Sequence, residues 1–387
     1  MDLSYIINEL GENRESYLNA VAPPVFQTGN FACKTVADMR HALQHETEVA
    51  FYTRGKNPTV VMLEQKIAAL EGTEAAIAFG SGMAAVSAAV LSRVKAGDHI
   101  VCIKKPYTWA NSLMLKFLPR FGVEVTMVDG TDAENFRRAT QNNTVLYYLE
   151  SPNSFTFELQ DIRAVTAIAR EHSVCTVIDN SFASPLFQNP AQMGVDLVIH
   201  SATKYIGGHS DAMGGIVCGS REAIHRIFKS EYMTLGAVLS PHEAWLLIRG
   251  LRTLPVRMER VAQTTRQVVA YLQQRKEVAE ILWPFLPSHP QYELAKAQMR
   301  NNTGQFTVRL NTTDLKVIER FCDSLRHFLM AASWGGHESL IFPVAATVDP
   351  NSFSATGPFN LVRFYIGLED ADYLIKDLEQ AFAQMYP

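Results

Sequence analysis

Residues 200–211 read HSATKYIGGHSD, and they follow the mostly apolar residues 196–199, a pattern typical of a short buried β-strand. Lys204 stands just beyond this strand and beside the hydroxyl groups of Ser201 and Thr203. Desolvation or a neighbouring cation would lower the pKa of a lysine at such a place from its usual value of about 10.4. Two interpretations follow from the residues alone: Lys204 is an ordinary surface lysine, or it is a nucleophilic amine that can condense with an aldehyde.

Working outward from this stretch, strand and helix patterns alternate along much of the chain. The strand patterns are short and almost continuously apolar, which is typical of a parallel sheet covered by helices. In such sheets ligands bind at the carboxyl ends of the strands, where the unusual residues of this chain cluster. The predicted strands cover residues 75–79, 99–103, 123–128, 144–149, 174–178, 196–200 and 215–218, and the predicted helices cover residues 59–70, 83–94, 109–121 and 161–171.

The chain divides into three predicted parts. Residues 1–50 are irregular and are interpreted as an N-terminal arm that packs on another element. Residues 51–240 form the large domain, and residues 241–387 form a smaller α+β domain. In this last part we predict an interrupted helix over residues 242–276, strands at residues 304–310 and 361–367, and a closing helix over residues 371–382.

Composition excludes several classes of protein. The 387 residues are 47 % hydrophobic and 19 % charged, as expected for a well-cored globular protein. The net charge of −4 and the scattered lysines and arginines argue against a nucleic-acid partner. No apolar run reaches the ~18 residues of a membrane span, and the N-terminus does not resemble a secretory signal. The five widely spaced cysteines predict free thiols in a reducing cytoplasm and no metal site.

Three further features lie at predicted strand ends, and each has two interpretations. Residues 80–82 (Gly-Ser-Gly) join a strand to a helix, so they either bind a phosphate or allow close packing. Asp179 ends an apolar strand, so it either caps a turn or pairs with a cation, such as the protonated ring nitrogen of pyridoxal 5'-phosphate (PLP). Tyr107 follows another strand and either stacks on a flat cofactor or packs in the core.

Residues 200–211 resemble the Schiff-base signature of the Cys/Met-metabolism PLP-dependent enzymes. This family includes cystathionine γ-synthases, cystathionine β- and γ-lyases, methionine γ-lyases and O-acetylhomoserine sulfhydrylases. The resemblance implies the α/β PLP-dependent transferase fold (aminotransferase fold type I), with a large parallel-sheet cofactor domain and a smaller C-terminal α+β domain. Similar motifs follow in order through nearly the whole chain, at residues 52–59, 81–85, 150–152, 177–182, 250–254, 333–340 and 363–370.

The same resemblance implies roles for cofactor-binding residues. Lys204 would hold PLP as a Schiff base and move protons, and Asp179 would keep the pyridine nitrogen protonated. Tyr107 would stack on the ring and assist catalysis. The residues that would hold the phosphate, through backbone N–H groups or hydroxyls, are Ser81, Gly82, Met83, Ser201 and Thr203.

Other matches concern the partner subunit and the substrate. Tyr52 and Arg54 match a pair that reaches into the phosphate site of the neighbouring subunit. The family therefore implies a catalytic dimer, usually doubled into a homotetramer. Arg363 matches the arginine that grips the α-carboxylate of an amino-acid substrate, a task suited to its bidentate fork. Ser333 and Trp334 lie in the matching loop beside it.

The motifs that separate the branches of the family favour a carbon–sulfur lyase of the β-lyase type. Trp334 resembles bacterial cystathionine β-lyases, because the γ-enzymes usually have leucine there, and Ala332 replaces the glutamate of γ-synthases and γ-lyases. Residues 150–155 (ESPNSF) lack the Asn-Pro ending of many γ-enzymes, and residues 108–109 (Thr-Trp) replace the Gly-Cys of methionine γ-lyase. The predicted reaction converts cystathionine to homocysteine, pyruvate and ammonia, within trans-sulfuration and methionine biosynthesis.

Residues 234–241 (TLGAVLSP) are more similar to the γ-enzymes, so alternatives stay open. One is a cystathionine γ-synthase or O-acylhomoserine sulfhydrylase, and another is a cystathionine or methionine γ-lyase. A remote alternative is a non-catalytic nucleotide-binding α/β protein. That protein would need a Gly-x-Gly-x-x-Gly turn, whereas Ala85 stands where the third glycine belongs.

Overall fold

Two β-sheets organise the structure, a computed structural model that describes residues 1–349 and 357–386. The large sheet has the order β1-β7-β6-β5-β4-β2-β3, with β1 (Ala75–Phe79), β2 (His99–Ile103), β3 (Glu124–Val128), β4 (Thr144–Glu150), β5 (Cys175–Asp179), β6 (Leu197–Ser201) and β7 (Gly215–Gly219). The small sheet has the order β10-β11-β12-β9-β8, with β8 (Val278–Leu282), β9 (Gln305–Leu310), β10 (Leu329–Met330), β11 (Leu340–Pro343) and β12 (Leu361–Tyr365).

Helices cover the large sheet and join it to the small one. None of the described helices combines the length and the apolar character needed to cross a membrane. Their bounds are α1 (Leu3–Asn8), α2 (Val36–Gln44), α3 (Pro58–Glu71), α4 (Gly82–Leu91), α5 (Thr108–Ser112), α6 (Glu134–Ala139), α7 (Ile162–Glu171), α8 (Ser184–Phe187), α9 (Arg221–Ile227), α10 (Met233–Leu235), α11 (Pro241–Leu272), α12 (Tyr292–Gln298), α13 (Leu315–Ser324) and α14 (Ala371–Ala383).

The large sheet is parallel as predicted, except for β7. Strands β6, β5, β4, β2 and β3 pair in parallel, whereas β7 is antiparallel to both β1 and β6. A parallel return from β6 would need a crossover connection, usually a helix. Residues 202–214 instead form a series of turns without a helix, so the chain comes straight back beside β6. The all-parallel prediction is therefore corrected at this one strand.

The order of the strands brings three carboxyl ends together. Strand β4 lies next to β5, with Glu150 opposite Asp179, and β5 lies next to β6, which ends at Ser201. These ends form one edge of the sheet, as predicted for a ligand site. Helix α4 begins nearby at Gly82, because Ser81 caps it by accepting the N–H of Ala84 (3.1 Å).

The prediction of a single regular α-helix over residues 109–121 is wrong. The structure has the short helix α5, then a π-helical turn at Leu113–Phe117 and a 3₁₀ turn at Leu118–Phe121. Pro119 has no N–H to donate to the preceding turn, which disturbs the regular α-helical hydrogen bonding there.

Helix α11 is continuous, although interruptions were predicted. Pro255 lies inside it and removes one backbone hydrogen bond. Arg257, two residues later, donates from its Nη2 to the Gly250 carbonyl oxygen at 2.8 Å. A Cβ at Gly250 would lie only 2.3 Å from the carbonyl oxygens of Ile206 and Gly207. The helix therefore lies directly against the turns that follow Lys204.

The small sheet confirms a second, mainly antiparallel α+β unit beyond α11, and β10–β11 is its one parallel pair within the described residues. Its core contains stacked rings of Phe306 and Phe364, 5.3 Å apart. The domain limits at residues 50 and 240 stay predictions.

The start of the N-terminal arm packs on the same chain. The Lys66 Nζ, fully buried, lies 3.0 Å from the Glu12 carboxylate and donates to the carbonyl oxygens of Ile6 and Ile7. Farther along the arm, Leu18 and Val21 are exposed.

Candidate active site

Lys204 lies in the turn after β6, where loops from both sheets meet. Its Nζ donates a hydrogen bond to the Ser333 hydroxyl and lies 5.4 Å from the centre of the Trp334 ring. Burial, and then the charge of Arg363, lower the pKa of Lys204 to about 8, against the opposing effect of Asp179. A fraction of this amine is therefore neutral, and so nucleophilic, near neutral pH.

Two carboxyl groups lie side by side at the ends of β4 and β5. Burial raises the pKa of Asp179, although the Ser181 N–H donates to its carboxylate at 2.9 Å. Burial, and then the charge of Asp179, raise the pKa of Glu150 to about 8. Within residues 1–349 and 357–386, no cationic side chain forms an ion pair with Asp179. A cation bound here would favour the ionised carboxylate, so the pair fits the ring nitrogen of PLP.

Tyr107 stands just before α5 and is held by Glu150 of this carboxyl pair. Its backbone N–H donates to the Glu150 Oε2 at 2.6 Å, and its side chain is half exposed. Burial, and then the charges of Asp179 and Glu150, raise the pKa of Tyr107. Its phenol is therefore a proton donor at neutral pH, with a face open to a flat ring.

The first turn of α4 forms a cradle at the end of β6. Its leading N–H groups, which include those of Gly82 and Met83, have no partner one turn earlier in the helix. A Cβ at Gly82 would lie 2.7 Å from the Ser201 hydroxyl oxygen, so only glycine leaves this space free. Backbone donors, a helix N-terminus and a hydroxyl group suit the phosphate of PLP. The Thr203 hydroxyl, by contrast, already contacts the Gly214 N–H and carbonyl group.

Arg363 reaches the same place from β12. Its Nη2 donates to the Ser333 carbonyl oxygen at 3.2 Å, and burial lowers its pKa to about 10. The backbone of Gly335 packs on Lys204, since a Cβ there would lie 2.8 Å from the Lys204 carbonyl carbon. The ring of Trp334 lies 5.4 Å from that of Tyr205. The small domain thus adds a cation, a hydroxyl and an indole to the lysine of the large domain.

Comparison with known proteins agrees with this geometry. The family model for Cys/Met metabolism PLP-dependent enzymes matches residues 5–383. The chain belongs to this family. An L-methionine gamma-lyase from Treponema denticola is 39 % identical, over 95 % of this chain and 93 % of that protein. A cystathionine beta-lyase from Lactococcus lactis is 34 % identical, over 96 % of both chains. A crystal structure of MetB from Corynebacterium glutamicum has a TM-score of 0.92 at 34 % identity, covering 100 % of this chain and 99 % of that one.

Membership of this PLP family confirms the predicted fold and the cofactor. The family and its relatives support a lyase or synthase of sulfur amino-acid metabolism. The roles of individual residues rest on geometry and stay proposals.

Two of the predicted site residues lie apart from the rest within one subunit. Tyr52 and Arg54 line a cavity of about 260 Å³ with Glu46 and Met233, and the Arg54 guanidinium lies 5.5 Å from the Tyr52 ring. No hydrogen bond or ion pair among the described residues joins either side chain to Lys204. Their predicted role in a partner subunit's phosphate site, and the homotetramer, stay predictions.

Sequence reasoning missed the role of two residues that the structure adds to the site. Glu150 belongs to one of the family motifs, but its position at the end of a strand, like that of Asp179, is the signal that could have identified it. Phe155 lies against Arg363, and its ring centre is 4.9 Å from the guanidinium carbon. No local signal indicates this contact, because the two residues are far apart in sequence.

We expect Gly82→Ala to weaken PLP binding by about 10-fold or more, since the new methyl group would displace the Ser201 hydroxyl from the phosphate cradle. Titration of the cofactor-free protein with PLP, followed by visible absorbance, measures this. The control is Gly29→Ala, because a Cβ at Gly29 meets nothing within 4 Å. If the Gly82→Ala variant and its parent bind PLP with equal affinity, the N-terminus of α4 does not bind the phosphate.

Proposed function

We propose that this chain is a PLP-dependent carbon–sulfur lyase whose main reaction is β-elimination of cystathionine to homocysteine, pyruvate and ammonia. The observation that carries this proposal is the meeting of Lys204, Asp179 and Arg363 in one site beside Trp334. The site thus offers an amine for proton transfer, a buried carboxylate for the ring nitrogen of the cofactor and a cation for the carboxylate of the substrate.

In the proposed reaction, each site residue has a separate role. Arg363 binds the substrate α-carboxylate and so orients the Cα–H bond. The neutral Lys204 amine removes the Cα proton and, as an ammonium group, returns it to the departing sulfur. Bound PLP supplies an electron sink for the charge left at Cα. Asp179 supports that role through its negative charge at the ring nitrogen.

The loop that begins at Ser333 supports β-elimination over γ-elimination. The Trp334 ring lies 5.4 Å from the Lys204 Nζ and fills the space beside the amine. Ala332 offers no carboxylate before Ser333. Removal of a γ-substituent needs a second proton transfer, at Cβ, and neither Ala332 nor Trp334 can serve as an acid or base for it.

A second candidate is γ-elimination of methionine, which the gamma-lyase relative from Treponema denticola favours. The two reactions, and synthesis, give different products. β-Elimination of cystathionine yields pyruvate and homocysteine, γ-elimination yields 2-oxobutyrate, and a synthase makes cystathionine from cysteine and an O-acyl-homoserine.

The test is a steady-state comparison of cystathionine, cysteine, methionine and O-acetylhomoserine, with the oxo acids identified by chromatography. We expect pyruvate and homocysteine from cystathionine, with kcat/KM about 10-fold or more above that for methionine, since methionine has no leaving group on Cβ. If 2-oxobutyrate is the main product, the γ-lyase replaces the β-lyase, and net formation of cystathionine identifies a synthase.

A further inference from the structure

The Arg363 guanidinium lies against two adjacent aromatic rings that come from different domains. Phe342 lies on β11 directly opposite Arg363 on β12, and its ring centre is 5.4 Å from the guanidinium carbon. Phe155 approaches from the segment after β4 in the large domain, with its ring centre at 4.9 Å. The two rings meet edge to face, 5.5 Å apart and at 73°. The guanidinium therefore has a ring from each domain against it.

Hydrogen bonding alone leaves this guanidinium poorly restrained. Its one described side-chain bond runs to the Ser333 carbonyl oxygen at 3.2 Å, and no carboxylate forms an ion pair with it within residues 1–349 and 357–386. The remaining N–H donors are therefore available to an anion. A planar guanidinium stacks well on aromatic faces, which set its plane without occupying its donors.

The position of the Phe155 ring depends on an unusual backbone conformation. Its φ is +66°, a left-handed conformation that bulky residues rarely adopt. Hydrogen bonds hold the turn in this shape: the Ser154 hydroxyl donates to Glu150 Oε1 at 2.8 Å, and the Thr156 hydroxyl donates to Asn153 Oδ1 at 3.0 Å. A strained residue persists where its surroundings specify it, and such residues cluster at functional sites.

We propose that the rings of Phe155 and Phe342 form an aromatic corner that positions Arg363 for the substrate α-carboxylate. The proposal rests on the carboxylate-binding role given to Arg363 above. Because one ring belongs to each domain, carboxylate binding then depends on the contact between the domains. Phe155 and Phe342 are positioning residues, acting through Arg363 and not on the reacting atoms.

The test measures binding of glycine, a non-sulfur amino acid with an α-carboxylate, to the holoenzyme by the change in visible absorbance. We expect Phe155→Leu and Phe342→Leu each to raise the Kd of glycine about 3- to 30-fold, with PLP content unchanged. For cystathionine, KM should rise by a similar factor and kcat should change less. Phe155→Tyr keeps the ring and should restore parental binding. Tyr292→Leu, which removes a ring 5.0 Å from the Lys296 Nζ, is the control and should bind glycine normally.

The Arg363→Lys variant distinguishes the positioning role of the aromatic corner from the carboxylate-binding role of Arg363. In this background Phe155→Leu should add little to the Kd, because the stacked guanidinium is already gone. If Arg363→Lys weakens glycine binding but both leucine variants bind normally, the positioning role of the aromatic corner is wrong and the carboxylate-binding role of Arg363 stands. If Arg363→Lys itself binds glycine normally, the carboxylate site is wrong as well. Since the two rings come from different domains, loss of folding in one leucine variant leaves the other to decide.

Discussion

Lys204→Ala is expected to lower kcat/KM about 10³-fold or more for every amino-acid substrate, while the fold survives. With the roles proposed for Lys204, the variant loses both the amine that bonds to the cofactor and the base that moves the Cα proton, and a general base alone contributes about 10²- to 10⁴-fold. The side chain makes one hydrogen bond, to the Ser333 hydroxyl, and its loss leaves the large sheet intact. Steady-state kinetics and circular dichroism measure the two effects.

The covalent role of Lys204 has its own measurement. Borohydride reduction of the holoenzyme should remove the visible band, and peptide mass spectrometry should find the PLP adduct on Lys204. Lys296→Ala is the matched control, because Lys296 is exposed and pairs with Glu293 at 3.5 Å on the surface. An adduct on another lysine, or undiminished turnover by Lys204→Ala, would overturn the site assignment.

The same substitution should change how stability depends on pH in the cofactor-free protein. The pKa of Lys204 is about 8 in the folded chain and 10.5 as the ordinary value for an unfolded one. Between these values the unfolded chain binds more protons, so the free energy of unfolding rises as pH increases from about 8 to 10.5. In Lys204→Ala this contribution disappears, which denaturant titrations across that interval would measure.

Asp179→Asn is expected to lower kcat about 10²- to 10³-fold, the size of effect seen when one group that stabilises developing charge is removed. The amide keeps the shape of the carboxyl group but has no negative charge to hold the ring nitrogen protonated. It can still accept the Ser181 N–H, so the turn after β5 should persist. Stopped-flow absorbance under single-turnover conditions would measure the chemical step.

The control for Asp179→Asn is Asp161→Asn, which makes the same chemical change at the N-cap of α7. Asparagine caps a helix about as well as aspartate, so both activity and stability should stay near those of the parent. If Asp179→Asn keeps full activity, another group supplies the negative charge at the ring nitrogen. Glu150 is the nearest carboxyl group along the strand ends.

Local patterns predicted the elements that depend on local sequence. The strands at Ala75–Phe79 and His99–Ile103 have their predicted bounds, because their apolar runs end at polar or glycine residues. The π-helical and 3₁₀ turns between α5 and β3 were missed, since a single proline was outweighed by an apolar helical pattern. The direction of β7 was also missed, because hydrophobic periodicity does not say which way a strand runs.

The sequence by itself determined the order of motifs, and through their resemblance the family and the cofactor, and it predicted Lys204 as the lysine that binds this cofactor. Contiguous motifs suffice for that, since the residues around Lys204 are neighbours along the chain. Only the tertiary structure decided that Glu150 lies beside Asp179 and that Phe155 and Phe342 lie together against Arg363. These contacts join residues distant in sequence, and they form only when strand order and domain packing bring separate loops to the same edge of the sheet.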